Sequence, residues 1–394
     1  MYGLNNYKNE ERVAIVMPYV AHYRHAMFRE LILSLNKIGV QVDVYAGLKP
    51  DVPALSIIDP VSLPSEDPLK ASWRIVRNIW VFKYFLIQPG VFLKMLRGYD
   101  SVIFFGNMYY LSTWVASLLV KFRGGRVYFW SHGFRYSEKG FKGWLRDLFY
   151  NISDGMFLFG ERARVIMSRR GHSPDKLHVI YNSLDYEAHL RILSKLKKSG
   201  IVEPNPERLQ IVAVGRLTAG RRIDMLLTAA KSLLASYRGL QVVIIGDGPE
   251  RAKVEERIRE LGLEETVNMV GASYDEEEVA RWIYSSHVSC IPGDIGLFGI
   301  HSMTFGVPVI THDDFSTQGP EAEIIVEYET GGFYENGNID SLCEKIKYWL
   351  DKMSDANQAE EVRRLCQERV RLNFTPHSQA DAIVKELCHG GNVA

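Results

Sequence analysis

The sequence predicts an α/β protein made of two doubly wound domains with a cleft between them. Three observations carry this. Short apolar runs alternate with amphipathic helical stretches along the whole chain. The pattern stops at a polar, proline-bearing stretch near 190–208 and then restarts. The 394 residues are enough for two cores of ordinary size.

The first half opens with an apolar strand, residues 12–18, and a helix over 19–39 with Phe28, Leu31, Ile32 and Leu35 on one face. An alternating strand, 40–45, follows. A strand–helix–strand opening implies parallel pairing with right-handed crossovers. Its first loop, at the carboxyl edge of the sheet, holds Tyr19, His22, Tyr23 and Arg24. Ligands bind at that edge in such folds, although a polar surface turn gives the same residues. Further strands are expected at 101–105, at 126–131 ending in Ser131-His132-Gly133, and at 155–160. His132 at a strand end either points into the cleft or caps the sheet edge.

Residues 68–99 carry Lys70, Arg74, Arg77, Lys83, Lys94 and Arg97, with Trp73, Trp80, Phe82, Tyr84 and Phe85 among them and no acid. Such a segment is either a basic amphipathic surface for an anionic membrane or a helix pair packed on the sheet. The charge is split along the chain. Residues 1–200 hold 28 Lys+Arg and 16 Asp+Glu, a net +12, and residues 201–394 hold 19 and 31, a net −12. No nucleic-acid-binding motif accompanies the basic half. The beginning of the chain, MYGLNNYKNEERVAIVMPY, has no secretory pattern, and no apolar run reaches spanning length, so a cytoplasmic location is expected. Cys290, Cys343, Cys366 and Cys388 lack the spacing of a zinc site or a disulfide framework.

The second half restarts with a strand at 209–214, a basic turn containing Arg216, Arg221 and Arg222, and a helix from 223 with Leu226, Leu227, Ala230, Leu233 and Leu234 as its buried stripe. Strands at 241–245 and 267–270 follow, the first ending in GDGPE, with helices at 251–261 and 276–284. The centre of this half is SCIPGDIGLFGIHSMTFGVPVI, residues 289–310: strand, glycine-bearing loop, helix, turn, strand. A loop feeding a helix N-terminus can present N–H groups to a phosphate, and an ordinary βαβ connection has the same outline. Residues 331–338, GGFYENGN, read as a turn, and 339–352 as a helix. Residues 355–392 are mostly helical, broken at 373–376. The expected domains are 1–190 and 205–376, with the last helix, 377–394, either staying with the second or crossing back to complete the first.

The pieces AVGRLTAGRRIDMLLTAA, VVIIGDGPE, VNMVGAS and GIHSMTFGVPVITHD, with YNSLD before the linker, occur in an order and spacing that resembles the retaining GT-B glycosyltransferases of glycosyltransferase family 4. The resemblance covers nearly the whole chain and is strongest over 209–334. It implies two Rossmann-like domains, an N-terminal one for the acceptor and a C-terminal one for a nucleoside diphosphate-sugar. It implies that Arg216, and Arg221 in place of the family's usual lysine, pair with the donor diphosphate. Gly215, Asp294, Gly296, Leu297, His301 and Glu321 would line the donor. His132 would meet the donor sugar or leaving phosphate, and Tyr23 and Arg24 the acceptor side.

One departure stands out. The family's two glutamates, eight positions apart, fall on Gly293 and His301, with Asp294 beside the first and Glu321 and Glu323 as replacement acids. The resemblance implies a hexosyl-type transferase of surface-polysaccharide or glycoconjugate synthesis. It implies no cofactor and no metal; Asp313-Asp314 only superficially matches a metal-binding D-x-D. The acceptor would be a saccharide or lipid-linked saccharide, with peripheral contact to an anionic membrane through 68–99 and no nucleic acid as partner. A non-catalytic homologue acting as a partner subunit and a nucleotide-sugar epimerase are the rival readings.

Overall fold

The computed structural model describes residues 11–50, 56–96, 98–136, 138–200 and 208–389. The chain divides into two compact units. One holds the described residues up to Asp185 together with those from Pro376, and the other is Tyr186–Thr375.

In the first unit the elements run β1 (Arg12–Met17), α1 (His25–Lys37), β2 (Gln41–Ala46), α2 (Pro68–Ser72), β3 (Trp73–Ile75), β4 (Ile79–Val81), β5 (Phe85–Ile87), α3 (Pro89–Met95), β6 (Ser101–Phe105), α4 (Leu111–Phe122), β7 (Arg126–Ser131), α5 (Gly140–Tyr150), β8 (Gly155–Leu158), α6 (Glu161–Arg169) and β9 (Leu177–Val179). Seven strands form one parallel sheet in the order β3-β2-β1-β6-β7-β8-β9. Its inner strands β1, β7 and β8 are buried on both faces, as a sheet covered by crossover helices must be. The strand period of two sorts β1 accordingly. Val13, Ile15 and Met17 pack with Phe28, Leu31 and Ile32 of α1, while Ala14 and Val16 face the layer containing Ala116 and Val120 of α4 and Phe149 of α5.

The second unit runs α7 (Tyr186–Ser199), β10 (Gln210–Val214), α8 (Ile223–Leu233), β11 (Gln241–Ile245), α9 (Arg251–Leu261), β12 (Val267–Gly271), α10 (Glu276–Tyr284), β13 (Val288–Cys290), α11 (Phe298–Thr304), β14 (Val309–His312), β15 (Gly331–Tyr334), α12 (Ile339–Ser354) and α13 (Ala356–Asn373). Its parallel sheet has the order β12-β11-β10-β13-β14-β15. The chain then returns. α14 (Pro376–His389) packs on α1 in the first unit, placing Ala380, Ile383 and Leu387 in the core beside Phe28 and Leu31.

Four expectations differ from what is seen. The first helix starts at His25, because 22–24 form a separate 3-10 turn after extended Ala21. Residues 68–99, of which Arg97 lies outside the described residues, are not the expected helix pair. They make two short helices, an edge strand and the antiparallel β4–β5 hairpin, turned by Phe82 and Lys83 at φ 51 and 63. Residues 331–334 are the edge strand paired with β14, where Gly331 lets the two backbones approach: a Cβ there would lie 2.1 Å from Val309 O. Finally, 186–199 is a helix of the second unit, held by α10 and α11, so the first unit ends at Asp185 and not at 190. The prolines expected in the linker, within 201–207, lie outside the described residues, as do residues 1–10.

Candidate functional site

Winding direction fixes where a site can form in the second unit. The chain moves one way from β10 through β11 to β12 and the other way from β13 to β15, so the switch falls between neighbours β10 and β13. The crevice in such sheets opens at the carboxyl ends of those two strands. The loop after β10 carries Gly215, Arg216 and Arg221, and the loop after β13 carries Pro292 to Leu297.

The two loops are bonded backbone to backbone. Gly293 N donates to Arg221 O at 3.0 Å and Asp294 N to Gly220 O at 3.1 Å. A Cβ on Gly293 would lie 1.8 Å from Gly220 O, so no side chain fits there on this backbone. The absence of a glutamate at 293 is therefore coupled to the loop path. The Arg221 guanidinium donates to Asp294 O and lies against two glycines. A Cβ on Gly296 would be 3.2 Å from its Nη2, and one on Gly215 would be 3.8 Å from it. Arg216 is exposed and makes no hydrogen bond or ion pair with the described residues.

The 292–296 loop is braced from inside. Buried Gln318 accepts from Ile295 N at 3.1 Å and donates to Gly293 O, Thr311 Oγ1 and His312 O. The Thr311 hydroxyl donates to Gly293 O at 2.7 Å, and Tyr334 OH to Pro292 O at 2.7 Å. Asp294 Oδ1 accepts from Gly296 N at 3.3 Å and Gly319 N at 2.9 Å. Glu321 is buried on the turn that follows, and its carboxylate and that of Asp294 flank Gly319. Sequence reasoning passed over Gln318, Thr311 and Tyr334. A buried Gln beside a glycine loop was the available signal for the first.

His301 is placed elsewhere. Its ring stacks on His189 of α7, with centroids 4.6 Å apart at 17°, and abuts Phe305. Its Nε2 lies 3.4 Å from the Glu276 carboxylate without hydrogen-bonding geometry. Burial, reinforced by His189 and opposed by Glu276, pushes its pKa down to about 3, so the ring is neutral. His189, Glu276 and His301 are the one group among the described residues whose ligating atoms all lie within 4.8 Å. The Nε2 atoms of His189 and His301 each lie 3.4 Å from the same Glu276 carboxylate oxygen. Asp313 and Asp314 hold the following turn: Asp313 accepts from Asn336 N at 3.0 Å, and Asp314 from Ser316 N at 3.0 Å.

In the first unit Tyr23, Arg24 and His132 come together at the carboxyl edge of the sheet. Arg24 Nε donates to Tyr23 OH at 3.1 Å, and its guanidinium carbon lies 5.0 Å from the Phe159 ring centre and 5.3 Å from that of Trp130. The aromatic faces hold the cation without neutralising it. His132 stacks on the same Phe159 at 4.6 Å. Its Nδ1 is enclosed without a hydrogen-bond partner. Burial, then the cations Arg135 and Arg24, push its pKa down to about 3. The imidazole is a neutral hydrogen-bonding group beside a fixed positive charge. Phe159 and Trp130, which assemble this cluster, carried no sequence signal beyond being apolar strand residues.

Known proteins are similar to this chain. The family model for glycosyl transferases group 1 matches residues 194–365, which include both loops of the switch point. An uncharacterized glycosyltransferase of Haemophilus influenzae is 25% identical over 166 residues, 41% of this chain and 45% of that protein. The 2-deoxystreptamine N-acetyl-D-glucosaminyltransferase of Niallia circulans is 24% identical over 170 residues, 42% of each chain. The chain spans less than half the length of the curated relatives it matches. The crystal structure of Anabaena Alr3699/HepE with UDP superposes with a TM-score of 0.70 at 14% identity, covering 96% of this chain and 100% of that one. The lipopolysaccharide outer core galactosyltransferase WaaB gives 0.67 at 16% identity over 95% and 99%. Residues 194–365 are thus similar to the glycosyl transferases group 1, and the chain has a GT-B-type α/β fold of two Rossmann-like units.

Proposed function

We propose that this protein is a retaining glycosyltransferase that moves a hexose-type sugar from a nucleoside diphosphate-sugar to a hydroxyl of a saccharide or lipid-linked saccharide, in surface-polysaccharide or glycoconjugate synthesis at the cytoplasmic side of a membrane. The observation that carries this reading is the seating of Arg221 between Gly215 and Gly296 at the switch point, with exposed Arg216 on the same loop. Glycines on both sides leave the guanidinium room to meet a ligand, and two arginines suit a diphosphate, which accepts charge-assisted, bidentate hydrogen bonds. The UDP and UDP-glucose bound in structures of the Anabaena neighbour support a nucleotide-sugar donor.

In this reading the acceptor hydroxyl attacks the anomeric carbon as the bond to the diphosphate breaks. The departing phosphate oxygen takes the hydroxyl proton, and the new bond forms on the face the diphosphate leaves. Arg216 and Arg221 stabilise the charge that grows on the leaving group, so neither an enzyme nucleophile nor a divalent metal is required. Asp294 and Glu321 stand on the sugar side with Leu297 along the nucleoside. His132, neutral, hydrogen-bonds the sugar or phosphate, while Arg24 and Tyr23 serve the acceptor. His301 acts by seating α11 on α7 and not by gripping the ribose, because its ring is buried against His189.

The test is turnover of UDP-, GDP-, ADP- and dTDP-sugars by the purified protein, with and without saccharide acceptors. Acceptor-dependent release of one nucleoside diphosphate, with an α-linked product from an α-linked donor, is expected. Conversion of the donor without acceptor would instead identify an epimerase, and no turnover of any donor a non-catalytic homologue.

A further inference from the structure

We propose that the outer face of α4 and α5 is a docking surface for an anionic membrane. An ordinary helix covering a sheet is polar on its outer side. α4 is not. Its inner side is Ser112, Thr113, Ala116, Ser117 and Val120, all buried. Its outer side is Leu111, Val115, Leu118 and Phe122, which are 43%, 49%, 57% and 91% exposed. These positions follow i, i+4, i+7 and i+11, so the apolar stripe runs the length of the helix.

α5 repeats the pattern. Phe141, Trp144 and Leu148 are all exposed, and the Phe141 and Trp144 rings stack on each other at 5.6 Å with nothing above them among the described residues. The two helices are neighbours in one layer. Trp114 of α4 meets Phe149 of α5 at 4.9 Å, and both helices sit on the core beneath. α3 packs beside α4 and adds exposed Leu93 and Leu96. Apolar residues scattered singly on a surface need no explanation, but two adjacent stripes with stacked aromatics do.

Charge selects the occupant. From residue 101 to 154 the chain has seven Lys+Arg and three acids. Each acid has a basic partner: Glu138 faces Lys142 and Arg146, Asp147 Arg170, and Asp154 Lys121. Exposed Arg123 and Lys139 stand at the ends of the stripes. A second copy packed through this same face would bring one basic rim against another, whereas anionic headgroups supply the opposite charge and acyl chains receive the Trp, Phe and Leu side chains. Both helices leave the carboxyl edge of the sheet, so Leu111 and Phe141 lie at the end where Arg24 and His132 meet. A lipid-linked acceptor in the bound membrane would reach that edge. This last consequence rests on the proposed glycosyl transfer; the docking itself does not.

The experiment is flotation of the full chain with vesicles of phosphatidylcholine alone and of phosphatidylcholine with phosphatidylglycerol. It compares the native protein with Phe122→Ser/Trp144→Ser and with Arg123→Gln/Lys139→Gln, each checked for an unchanged far-UV spectrum and melting cooperativity. Binding to the anionic vesicles is expected, falling at least about tenfold in the apolar double variant and weakening with salt and in the charge variant. Absence of binding, or equal binding by the apolar variant, would overturn the proposal. So would a dimer in solution that the same substitutions dissociate. Nucleotide-induced thermal shifts are expected to be equal in all three proteins, which separates loss of docking from loss of the donor site.

Discussion

Arg221 and Gly296 are in close contact: a Cβ at 296 would stand 3.2 Å from the arginine Nη2, tighter than an ordinary contact, at a backbone φ of +53 that side chains rarely adopt. The guanidinium thus lies against the backbone of the loop that follows β13, while its own loop hydrogen-bonds to Gly293 and Asp294. Cation, glycine and strand end form one unit at the switch point of the sheet. Arg221→Ala is expected to lower turnover at least about a hundredfold, the scale of losing one group that stabilises developing charge. Steady-state kinetics on a variant with native melting behaviour checks this, and near-normal rates would remove Arg221 from the leaving-group site.

The close approach at Gly293 makes a separate prediction about stability. A methyl at 293 would sit 1.8 Å from Gly220 O, so the two loops must part. Gly293→Ala is expected to cost about 1–3 kcal/mol in denaturant unfolding, as overpacking does, and to weaken nucleotide binding. Restoring the family's glutamate here is expected to do more damage than alanine, because the position has no room for either.

Gln318 is expected to matter more than its distance from Arg221 suggests. It joins the loop after β13 to β14 through four polar contacts in a buried place. Gln318→Leu leaves Ile295 N without its acceptor and Gly293 O with the Thr311 hydroxyl alone, at about 1–3 kcal/mol. The measurement is unfolding free energy alongside the apparent Kd for a nucleoside diphosphate. Loss of affinity without loss of stability would show that the brace positions the loop and does not hold up the fold.

Acid should weaken the second unit through two histidines. Burial pushes His301 down to about 3 and His287 to about 4, the latter also accepting Gln210 N at 3.2 Å. The unfolded chain binds these protons near pH 6.5 and the folded one does not, so their cost is absent above pH 6.5 and grows as pH falls toward 4. Each contributes up to about 1.4 kcal/mol per pH unit in that window. Denaturant melts at pH 7 and pH 5 should differ, and His301→Gln should flatten the difference. An equal pH dependence in that variant would show the histidine is not the cause.

His132 has a different pH signature. Neutral down to about pH 3, it contributes no ionisation to kcat/KM between pH 5 and 8. A His132→Ala variant is therefore expected to lose rate while keeping the shape of the native pH profile. A limb near pH 6.5 that vanishes with the substitution would contradict a neutral role.

What could be read from residue types was the alternation of strands and helices, and with it both sheets, because buried parallel strands are apolar runs and crossover helices keep their period. The glycines after β10 and β13 marked the loops. The parts that depend on which residues meet across space were not legible. GGFYENGN looks like a turn because glycine is poor in strands, yet Gly331 is needed for β15 to approach Val309. His301 looked like a ligand group, and only the placement of α7 shows its ring turned to His189. The basic segment 68–99 drew attention by charge, while the apolar stripe on α4 is told from core only by its exposure.

The central claim is that Arg221 holds the diphosphate of a nucleotide-sugar. It is tested most directly by thermal shifts of the native protein and of Arg221→Ala with UDP, GDP, ADP and dTDP. Stabilisation of the native protein by one of these nucleotides, lost in the variant, is the predicted result. No shift with any of them, or the same shift in both proteins, would contradict it.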